Sequence, residues 1–503
     1  MTIAMLENEC WWGGAAHSGV RMPFDAQSEF TIDLRRSALG NQSTPFFLSS
    51  KGRYLWCAHG FAIRFSKGTI TVDAPVELYD RGGDLPDAYR AAMRKHFPPT
   101  GIVPEMLFFS RAQYNTWAEL VYDQCESEVL RYARQWVAEG YEPGVLMIDD
   151  TWQTDYGVWR FHPERFPHPK DMAEQLHALG YRLMLWICPY VSADSAEFRE
   201  LEALPGALVR DERNKPAIIR WWNGYSAALD FRSEAARAWM DGALHGLMDT
   251  CGVDGFKFDG GSIDYYIDFL NPPDCLPEEL SAAWSAYALR YRFEEVKDTF
   301  GASGQPYIQR LRDKRHAWSG GDGLDSIVPD ALALGLTGHY YLCPDMIGGG
   351  EWTSFVPGAK LSEELSVRFA QASALFPMMQ FSVAPWRVLS AENAALVREA
   401  ERLHRRFAAL IEQLVRKAAM EGEPPLAPLC YHDPAGGHER VTDQFMLGRD
   451  LLVAPVLAQG ATEREVRFPQ GKWQDEDGNC YTGACSAKVN APLSRLPWFW
   501  RVG

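Results

Sequence analysis

Apolar residues recur in two different patterns along this chain, and the pattern changes near residue 104. Before that point, short apolar segments such as Phe30–Leu34, Pro45–Ser50 and Ala62–Phe65 alternate with Lys-Gly and Arg-Gly-Gly turns. Such punctuation is typical of hairpins and sandwich edges. Residues 1–100 are therefore predicted to form an N-terminal β-sandwich-like domain, closing with a helix at Leu85–His96.

From residue 104, short apolar segments alternate with amphipathic helices, which favours β/α units and a parallel sheet. The predicted helices include Glu126–Glu139, Met172–Leu179 and Ser233–Leu247, and a further apolar segment lies at Ile218–Trp222. Eight predicted strands indicate a TIM-type (β/α)8 barrel over residues 101–388. They are Met106–Ser110, Gly144–Asp150, Arg182–Cys188, Gly255–Phe258, Tyr307–Arg310, Trp318–Asp322, His339–Asp345 and Met378–Ser382.

After Pro385 the pattern changes again. A long amphipathic helix is predicted at Ala391–Lys417, followed by short strands broken by Gly, Pro and Asn, such as Phe445–Leu447 and Glu465–Phe468. Residues 389–503 are therefore predicted to form a helix plus a C-terminal β domain. The fold class is α/β.

The best candidate for chemistry ends the strand Gly255–Phe258. Asp259 follows that strand directly and is itself followed by Gly260 and Gly261. Side chains at the carboxyl ends of barrel strands converge on one cleft, where the active sites of such barrels lie. We therefore predict that Asp259 is a nucleophile. The alternative is that Asp259 only caps the following turn.

Other acids also follow predicted strands, namely Asp149, Asp150, Asp322 and Asp345. Carboxylates brought together at one barrel mouth repel each other, so the pKa of one rises while another stays ionised. Glycoside hydrolysis uses such a pair, one as acid and one as nucleophile. The alternative for each residue is capping of a following helix.

Composition narrows the classes of partner and cofactor. A formal net charge of −16 without a basic run argues against nucleic acid and anionic membranes. The start of the chain lacks signal-peptide character and no apolar run could span a bilayer, so we expect a soluble cytoplasmic protein. The ten cysteines and 12 histidines show no metal-site spacing, and no phosphate-binding Gly loop or GxSxG is present. No cofactor is predicted, and homo-oligomerisation stays open.

Several ordered segments resemble the motifs of glycoside hydrolase family 31. They are Pro45–Ser50, Phe256–Gly261, Trp318–Asp322, Pro344–Gly349, Asp443–Gly448 and Leu452–Val456. Within that family, Arg220–Gly224 with Leu229–Phe231 resembles the branch that contains the myogenesis-regulating glycosidase and bacterial α-galactosidases. The resemblance implies a barrel with N- and C-terminal β domains and a retaining exo-α-glycosidase that acts on α-galactosides. An α-glucosidase, a transglycosidase and a catalytically inactive sugar-binding protein remain alternatives.

The resemblance also implies roles for individual residues. Asp259 would form the covalent glycosyl intermediate, and Asp322, or Asp325 if the match shifts, would be the acid/base. The implied substrate-binding residues are Asp149, Asp150, Trp186, Trp221, Trp222, Lys257, Arg310 and Asp345. For the tryptophans, plain core packing is the alternative.

The chain departs from the family pattern in two places. Ser262 stands where many relatives carry Glu after the nucleophile, which leaves sugar or leaving-group preference open. The segment Met379–Ser382 lacks the Arg and His that many α-glucosidases of the family carry, in agreement with the galactosidase branch.

Overall fold

The structure is a computed structural model, and it describes residues 1–36, 40–267, 275–356 and 358–503. The described residues before position 100 form strands and a helix at Thr2–Ala4 (β1), Trp11–Ala15 (β2), Phe30–Asp33 (β3), Gln42–Ser49 (β4), Arg53–Trp56 (β5), Ala62–Ser66 (β6), Thr69–Val72 (β7), Glu77–Asp80 (β8) and Leu85–His96 (α1), with a 3-10 turn at Ala16–Arg21. The helix has the predicted bounds, because Asp84 and Asp87 form a capping box at its start.

These strands form two sheets that pack face to face. One sheet has the order β1-β7-β6-β3, and the other contains β2, β4, β5 and β8. Phe47 of β4 contacts Phe61 and Phe65, with ring centroids 6.1 and 6.0 Å apart, so aromatic rings fill the space between the sheets. The predicted β-sandwich-like arrangement is present.

The central part of the chain contains the strands Gln113–Asn115 (β9), Val145–Ile148 (β10), Gln153–Asp155 (β11), Val158–Phe161 (β12), Arg182–Ile187 (β13), Tyr190–Ser192 (β14), Ile218–Trp221 (β15), Gly224–Ala228 (β16), Gly255–Phe258 (β17), Phe293–Val296 (β18), Thr299–Phe300 (β19), Gln309–Arg310 (β20), Leu342–Cys343 (β21) and Gln380–Phe381 (β22). Its helices are Leu107–Ser110 (α2), Trp117–Leu120 (α3), Glu126–Ala138 (α4), Pro169–Leu179 (α5), Ala196–Ala203 (α6), Glu234–Cys251 (α7), Asp264–Ile267 (α8), Pro277–Ala288 (α9), Leu324–Leu336 (α10), Glu363–Ser373 (α11) and Pro385–Val388 (α12), with a 3-10 turn at Trp352–Phe355.

Eight of these strands form one parallel sheet in the order β21-β20-β18-β17-β13-β10-β9-β22. A parallel bridge between Met346, just beyond β21, and Gln380 of β22 joins the two ends of the sheet. The predicted (β/α)8 barrel is confirmed. The carboxyl ends of its strands therefore face one common cleft.

Two predicted barrel strands are wrong. Met106–Ser110 lies mostly in the short helix α2, because a brief apolar run is compatible with either a buried strand or a buried helix turn. Trp318–Asp322 forms a loop, since Gly320 and Gly321 have φ angles of 109° and 74° that a strand does not accommodate. The segment Ile218–Trp222 is a strand, but it belongs to a separate antiparallel sheet of β14, β16 and β15.

Two true barrel strands, β9 and β18, escape a hydrophobic-pattern search because polar side chains point into the barrel. Gln380 donates from Nε2 to Gln113 Oε1 and to Glu295 Oε2, both at 2.8 Å. Glu295 is completely buried. Burial of polar groups is tolerated where they satisfy each other's hydrogen bonds.

The fifth β/α unit differs from the others. Residues 297–308, all described, contain no helix between β18 and β20, and they contribute β19 instead. This short strand pairs in parallel with β4, with Thr299 opposite Gln42. Gln42 Nε2 also donates to the carbonyl oxygens of Lys297 and Arg310, at 3.0 and 3.1 Å. The N-terminal sheet is thus joined to the barrel beside the ends of two of its strands.

After the barrel come Ala391–Glu421 (α13), Leu426–Ala427 (β23), Leu429–His432 (α14), Phe445–Leu447 (β24), Leu451–Val453 (β25), Glu463–Phe468 (β26), Lys472–Asp475 (β27), Cys480–Thr482 (β28), Cys485–Asn490 (β29) and Trp498–Arg501 (β30). The helix α13 packs against α2 and α11, and the strands form a six-stranded sheet and the separate pair β26-β29. The predicted C-terminal β structure is confirmed. Among the described residues, no helix is long and apolar enough to cross a bilayer.

Gly255 at the start of β17 offers a test of the barrel packing. A Cβ added there would lie 1.9 Å from the carbonyl oxygen of Phe293 on the neighbouring strand. We expect Gly255→Ala to destabilise the protein by about 1–3 kcal/mol or more, since backbone atoms cannot move aside as a flexible side chain can. Thermal unfolding of wild type and variant measures the effect.

Gly246→Ala provides the matched control for this substitution. Gly246 lies in α7, and a Cβ there has no atom within 4 Å outside its own helix. Alanine should be neutral or should stabilise the helix by about 0.5–1 kcal/mol. An unchanged melting temperature for Gly255→Ala would contradict the packing described for β17 and β18.

Candidate active site

Residues at the carboxyl ends of consecutive barrel strands surround Asp259. Asp259 follows β17 and is only 7% exposed. Its Oδ2 accepts a hydrogen bond of 3.0 Å from Trp186 Nε1, and its Oδ1 accepts one of 2.8 Å from the Gly260 N–H. Lys297 Nζ lies 3.9 Å from Oδ1. The carboxylate is therefore fixed in orientation by a side-chain donor from β13 and by the backbone N–H of the residue that follows it.

Electrostatics keep Asp259 ionised despite its burial. Burial raises the pKa of the Asp259 carboxyl, but attraction to Lys297 and Lys257, helped by the Trp186 hydrogen bond, outweighs burial and lowers the pKa below its ordinary value. A buried carboxylate that is charged at neutral pH is suited to nucleophilic attack.

The two acids after β10 have different environments. Lys257 Nζ donates to Asp149 Oδ2 at 2.6 Å, and both side chains are almost fully buried. Asp150 accepts a hydrogen bond of 2.9 Å from the Tyr156 hydroxyl. Burial, with a further contribution from the neighbouring Asp149, raises the pKa of Asp150 to about 7. The pair therefore offers one carboxylate balanced by a lysine and one carboxyl group close to its titration point at neutral pH.

Two charged residues that the sequence did not single out also face Asp259. Lys297 Nζ donates to Asp313 Oδ2 at 3.0 Å, and Arg310 Nη1 donates to Asp313 Oδ1 at 2.8 Å. Burial raises the pKa of Asp313, but the attraction of Lys297 and Arg310 dominates and holds it far below the usual range. Asp313 is consequently an ionised group and an unsuitable proton donor.

Asp345 lies beneath Arg310 and is completely buried. Its Oδ1 accepts from Arg310 Nη1 at 2.6 Å, and its Oδ2 accepts from the N–H groups of Lys314 and Gly350 at 2.6 and 2.8 Å. Burial raises the pKa of Asp345 to about 6. The sequence places Asp345 among the substrate-binding residues, whereas the structure places it behind Arg310, away from the cavity walls.

Two adjoining cavities meet at Asp259. The first, with a volume of about 390 Å³, is lined by Asp149, Asp150, Trp186, Lys257, Arg310, Trp117, Tyr122, Gly350 and Trp352. The second, of about 500 Å³, is lined by Gly40, Gly260, Ser262, Asp264, Tyr265, Asp298, Arg312, Arg315 and Asp322. Residues that border both are Trp222, Asp259, Lys297, Asp313 and Glu351. Both volumes are in the range of small-ligand sites.

The three predicted tryptophans have different positions. Trp186 lines the first cavity and is 1% exposed, with its indole N–H on Asp259. Trp222, which is 50% exposed at the turn between β15 and β16, borders both cavities. Trp221 lines neither cavity. It packs edge-on against Tyr156, with centroids 4.8 Å apart, and donates to Ser226.

The structure distinguishes between Asp322 and Asp325, the two acid/base candidates. Asp322 lines the second cavity, and Arg312 Nη2 lies 3.1 Å from its Oδ2. Asp325 lines neither cavity, and its Oδ2 accepts from the Gly321 N–H at 3.1 Å. Asp322 is therefore the one of the two that can reach a bound ligand.

The residues missed by sequence reasoning have a common origin. Lys297 and Asp298 follow β18, a strand hidden by its two glutamates, and Asp313 follows β20 in a loop without an apolar pattern. A charged pair directly after a strand is the signal that would find the first two, once β18 is recognised. Within the described ranges, no group of three or more His, Cys, Asp or Glu side chains is arranged to hold a metal ion.

A parallel β/α barrel with an acid-lined cleft can hold the pair of carboxyl groups that glycoside hydrolysis uses. Residues 108–411 match the model of the Glycosyl hydrolases family 31 TIM-barrel domain, and residues 422–503 match that of the Glycosyl hydrolase family 31 C-terminal domain. The chain belongs to glycoside hydrolase family 31.

Individual relatives agree with this assignment. The myogenesis-regulating glycosidase of Mus musculus is 32% identical over 422 residues, which cover 80% of this chain and 57% of the mouse protein. The sulfoquinovosidase of Escherichia coli K12 is 27% identical over 373 residues, covering 68% of this chain and 53% of that enzyme. This chain thus spans little more than half the length of these two curated relatives.

A solved structure supports the fold over the whole chain. The Flavobacterium johnsoniae GH31 dextranase, in its complex with glucose, superposes with a TM-score of 0.87 at 19% identity. The superposition covers 100% of this chain and 66% of the dextranase chain.

The raised pKa of Asp150 leads to a testable pH dependence of stability. Its unfolded-state pKa is about 3.9, whereas the folded-state pKa is about 7. The folded state therefore binds the proton more tightly than the unfolded state does. The free energy of unfolding of wild type, relative to that of Asp150→Asn, is highest below about pH 4 and falls as pH rises through about 7. We expect the melting temperature of wild type minus that of Asp150→Asn to fall between pH 5 and pH 8.

Asp249→Asn is the control for this comparison, because it removes the same charge from an exposed position on α7. Its melting-temperature difference from wild type should change little over the same pH range. A constant difference for Asp150→Asn would show that Asp150 is not desolvated as described.

Proposed function

We propose that this protein is a retaining exo-α-glycosidase in which Asp259 is the nucleophile and Asp322 is the acid/base. The observation that carries the proposal is the position of Asp259, ionised at the junction of two cavities, with Asp322 on the wall of only one of them. A retaining glycosidase needs one carboxylate at the anomeric carbon and one carboxyl group at the leaving oxygen.

The two cavities suggest how a substrate is divided. The general acid must reach the oxygen of the leaving group, so the leaving group occupies the second cavity with Asp322. The terminal sugar then occupies the first cavity, where Asp149, Asp150, Lys257 and Arg310 supply polar contacts. Trp186 and Trp222 provide aromatic surface beside the scissile bond.

The reaction follows from these positions. Asp259 attacks the anomeric carbon while Asp322 gives its proton to the glycosidic oxygen, so the C–O bond to the leaving group breaks and a glycosyl ester forms. Asp322, now a carboxylate, takes a proton from water, and the water oxygen attacks the anomeric carbon and releases Asp259. Asp313 stays ionised throughout, and Asp345 positions Arg310 from behind.

We propose an α-galactoside as the substrate. Support comes from the resemblance of Arg220–Gly224 to the galactosidase branch, and from the last barrel strand. None of residues 378–384, all described, lines either cavity, whereas the aromatic residues Trp117, Tyr122 and Trp352 line the first cavity. A terminal sugar is therefore recognised here without the charged groups that α-glucosidases of the family place after this strand.

Initial rates on chromogenic α- and β-linked glycosides, with α-galactoside and α-glucoside side by side, test the reaction and the sugar. We expect release from the α-galactoside, and a fall on the order of 10⁴-fold or more for Asp259→Asn because the nucleophile is lost. A preference for the α-glucoside would support the proposed mechanism but would show that the terminal sugar is glucose and not galactose. No release from any α-glycoside by folded protein would overturn the proposed function and favour a sugar-binding protein.

The assignment of Asp322 is tested separately by chemical rescue. We expect Asp322→Ala to lose about 10²–10⁴-fold in turnover of substrates with poor leaving groups. Added azide should then attack the intermediate without base assistance and give a glycosyl azide that retains the α configuration. Asp325→Ala, examined in parallel, should give no azide product. Rescue of Asp325→Ala instead of Asp322→Ala would reverse the assignment.

A further inference from the structure

Two aromatic residues of the first cavity also line a neighbouring groove. Tyr122 and Trp352 border both the first cavity and this groove, which has a volume of about 810 Å³. The groove, called the outer groove below, is lined by residues 118–123 together with Phe355, Leu361 and Arg387, among others. The rings of Tyr122 and Trp352 are in edge contact, with centroids 5.9 Å apart. The pair therefore lies at the boundary between the first cavity and the outer groove.

Tyr122 is presented by a tight turn with an unfavourable backbone conformation. The Asp123 N–H donates to the carbonyl oxygen of Leu120 at 2.8 Å, which closes a four-residue turn. Val121, its second residue, has φ 49° and ψ −112°. These angles correspond to the second position of a type II′ turn, which strongly favours glycine. A β-branched residue keeps such a conformation only where the surrounding structure holds it.

Buried side chains hold this turn in place. Gln124 Nε2 donates to the carbonyl oxygen of Val121 at 3.1 Å, and Gln124 Oε1 accepts from the Thr116 hydroxyl at 2.8 Å. Thr116 and Gln124 are completely buried. The Thr116 hydroxyl in turn accepts from the Asp149 N–H at 3.0 Å. The turn is thus connected through two side chains to an acid that lines the first cavity.

Core packing of Tyr122 does not account for the strain. Its side chain is 54% exposed, so the turn does not serve to bury it. Strained residues concentrate at ligand-binding sites, where the position that they impose matters for binding. Here the imposed position is that of an aromatic ring at the edge of the first cavity.

We propose that Tyr122, held by the strained turn at Val121 and backed by Trp352, blocks the first cavity beyond the terminal sugar. The protein is thereby restricted to removing single terminal sugars. This inference rests on the proposed function, because it takes the first cavity as the site of the terminal sugar. Tyr122 is a specificity-determining residue and Val121 is a positioning residue. The substrate class is an α-glycoside whose terminal sugar carries no further sugar.

A matched set of chromogenic substrates tests the block. The plain substrate is the 4-nitrophenyl α-glycoside that the wild type prefers, or the α-galactoside if it cleaves none. The extended substrates carry one additional β-linked sugar, placed at each free hydroxyl group in turn. An α-glycosidase does not remove a β-linked sugar, so nitrophenol is released only if the added sugar extends beyond the first cavity. We expect the wild type to cleave the plain substrate alone.

Tyr122→Ala should open the first cavity into the outer groove. We expect at least one extended substrate to be cleaved about 10-fold or more faster than by wild type, because a steric barrier to the added sugar is removed. The rate on the plain substrate should fall about 2- to 12-fold, because an aromatic contact is lost. A gain of activity on one substrate with a loss on the other is not produced by general destabilisation.

Two control variants accompany this substitution. Tyr122→Phe keeps the ring and should cleave the substrates as the wild type does. Tyr225→Ala removes a tyrosine that is 64% exposed and lines neither of the two cavities nor the outer groove. It should leave the ratio of extended to plain rates unchanged.

Val121→Gly tests the role of the turn and leaves the Tyr122 side chain in place. Glycine adopts a positive φ without strain, so the melting temperature should not fall. Glycine also allows the turn other conformations, so Tyr122 should be held less firmly and the ratio of extended to plain rates should rise. An unchanged ratio would contradict the positioning role of Val121.

Binding measured without turnover distinguishes failure of this inference from failure of the proposed reaction. In an Asp259→Asn background, titration calorimetry gives the Kd of the plain and extended substrates. The extended substrates should bind more weakly than the plain one, and adding Tyr122→Ala should reduce this difference about 10-fold or more for at least one of them. This readout holds even if the wild type releases no sugar, in which case only the proposed reaction is lost.

Three outcomes would overturn the inference. Nitrophenol release from an extended substrate by the wild type would show that the first cavity is not blocked. If Tyr122→Ala changed neither the rates nor the Kd values of the extended substrates, another group would form the barrier. An equal gain in Tyr225→Ala would show that the effect is not specific to Tyr122.

Discussion

Three cations, Lys257, Lys297 and Arg310, lie among more buried carboxyl groups than three positive charges can neutralise. The charge state of each carboxyl group in the cleft depends on how strongly these cations attract it. Asp259 lies 3.9 Å from Lys297, and Asp313 accepts hydrogen bonds from Lys297 and Arg310. Attraction to the cations lowers the pKa of both carboxyl groups. Burial dominates at Asp150 and Asp298, and it raises the pKa of Asp150 to about 7 and that of Asp298 to about 8. One cleft thus contains charged and neutral carboxyl groups at the same pH.

The presence of charged and neutral carboxyl groups in one cleft depends on the barrel fold. Lys257 comes from β17, Lys297 follows β18 and Arg310 comes from β20, so three neighbouring parallel strands each supply one cation to the cleft. A parallel register brings these positions together although they are 53 residues apart in the sequence (310 − 257). Glu295, buried inside the barrel, lies 3.7 Å from Arg310 and extends the network below the cavity floor.

The sequence predicts much of this arrangement, and its failures have physical causes. Strands with apolar side chains, such as β10, β13 and β17, are found because burial on both faces leaves a continuous hydrophobic signal. The strands β9 and β18 are missed because they carry polar side chains inside the barrel, where Gln113 and Glu295 each accept a hydrogen bond from Gln380. Asp259 and Lys257 follow from a recognised strand, whereas Lys297 and Asp298 are lost together with β18. Which of Trp221 and Trp222 faces the cleft depends on the hairpin turn, which the one-dimensional pattern does not reveal.

The pairing of β19 with β4 means that the barrel alone does not enclose the cleft. The β4 residue Gln42 is bonded to the ends of β18 and β20, and Gly40, just before β4, is part of the wall of the second cavity. A fragment that began at the first barrel strand would lack this wall and would expose an unpaired strand edge next to Lys297. The barrel together with its N-terminal sheet is therefore the smallest unit that keeps the complete wall of the second cavity.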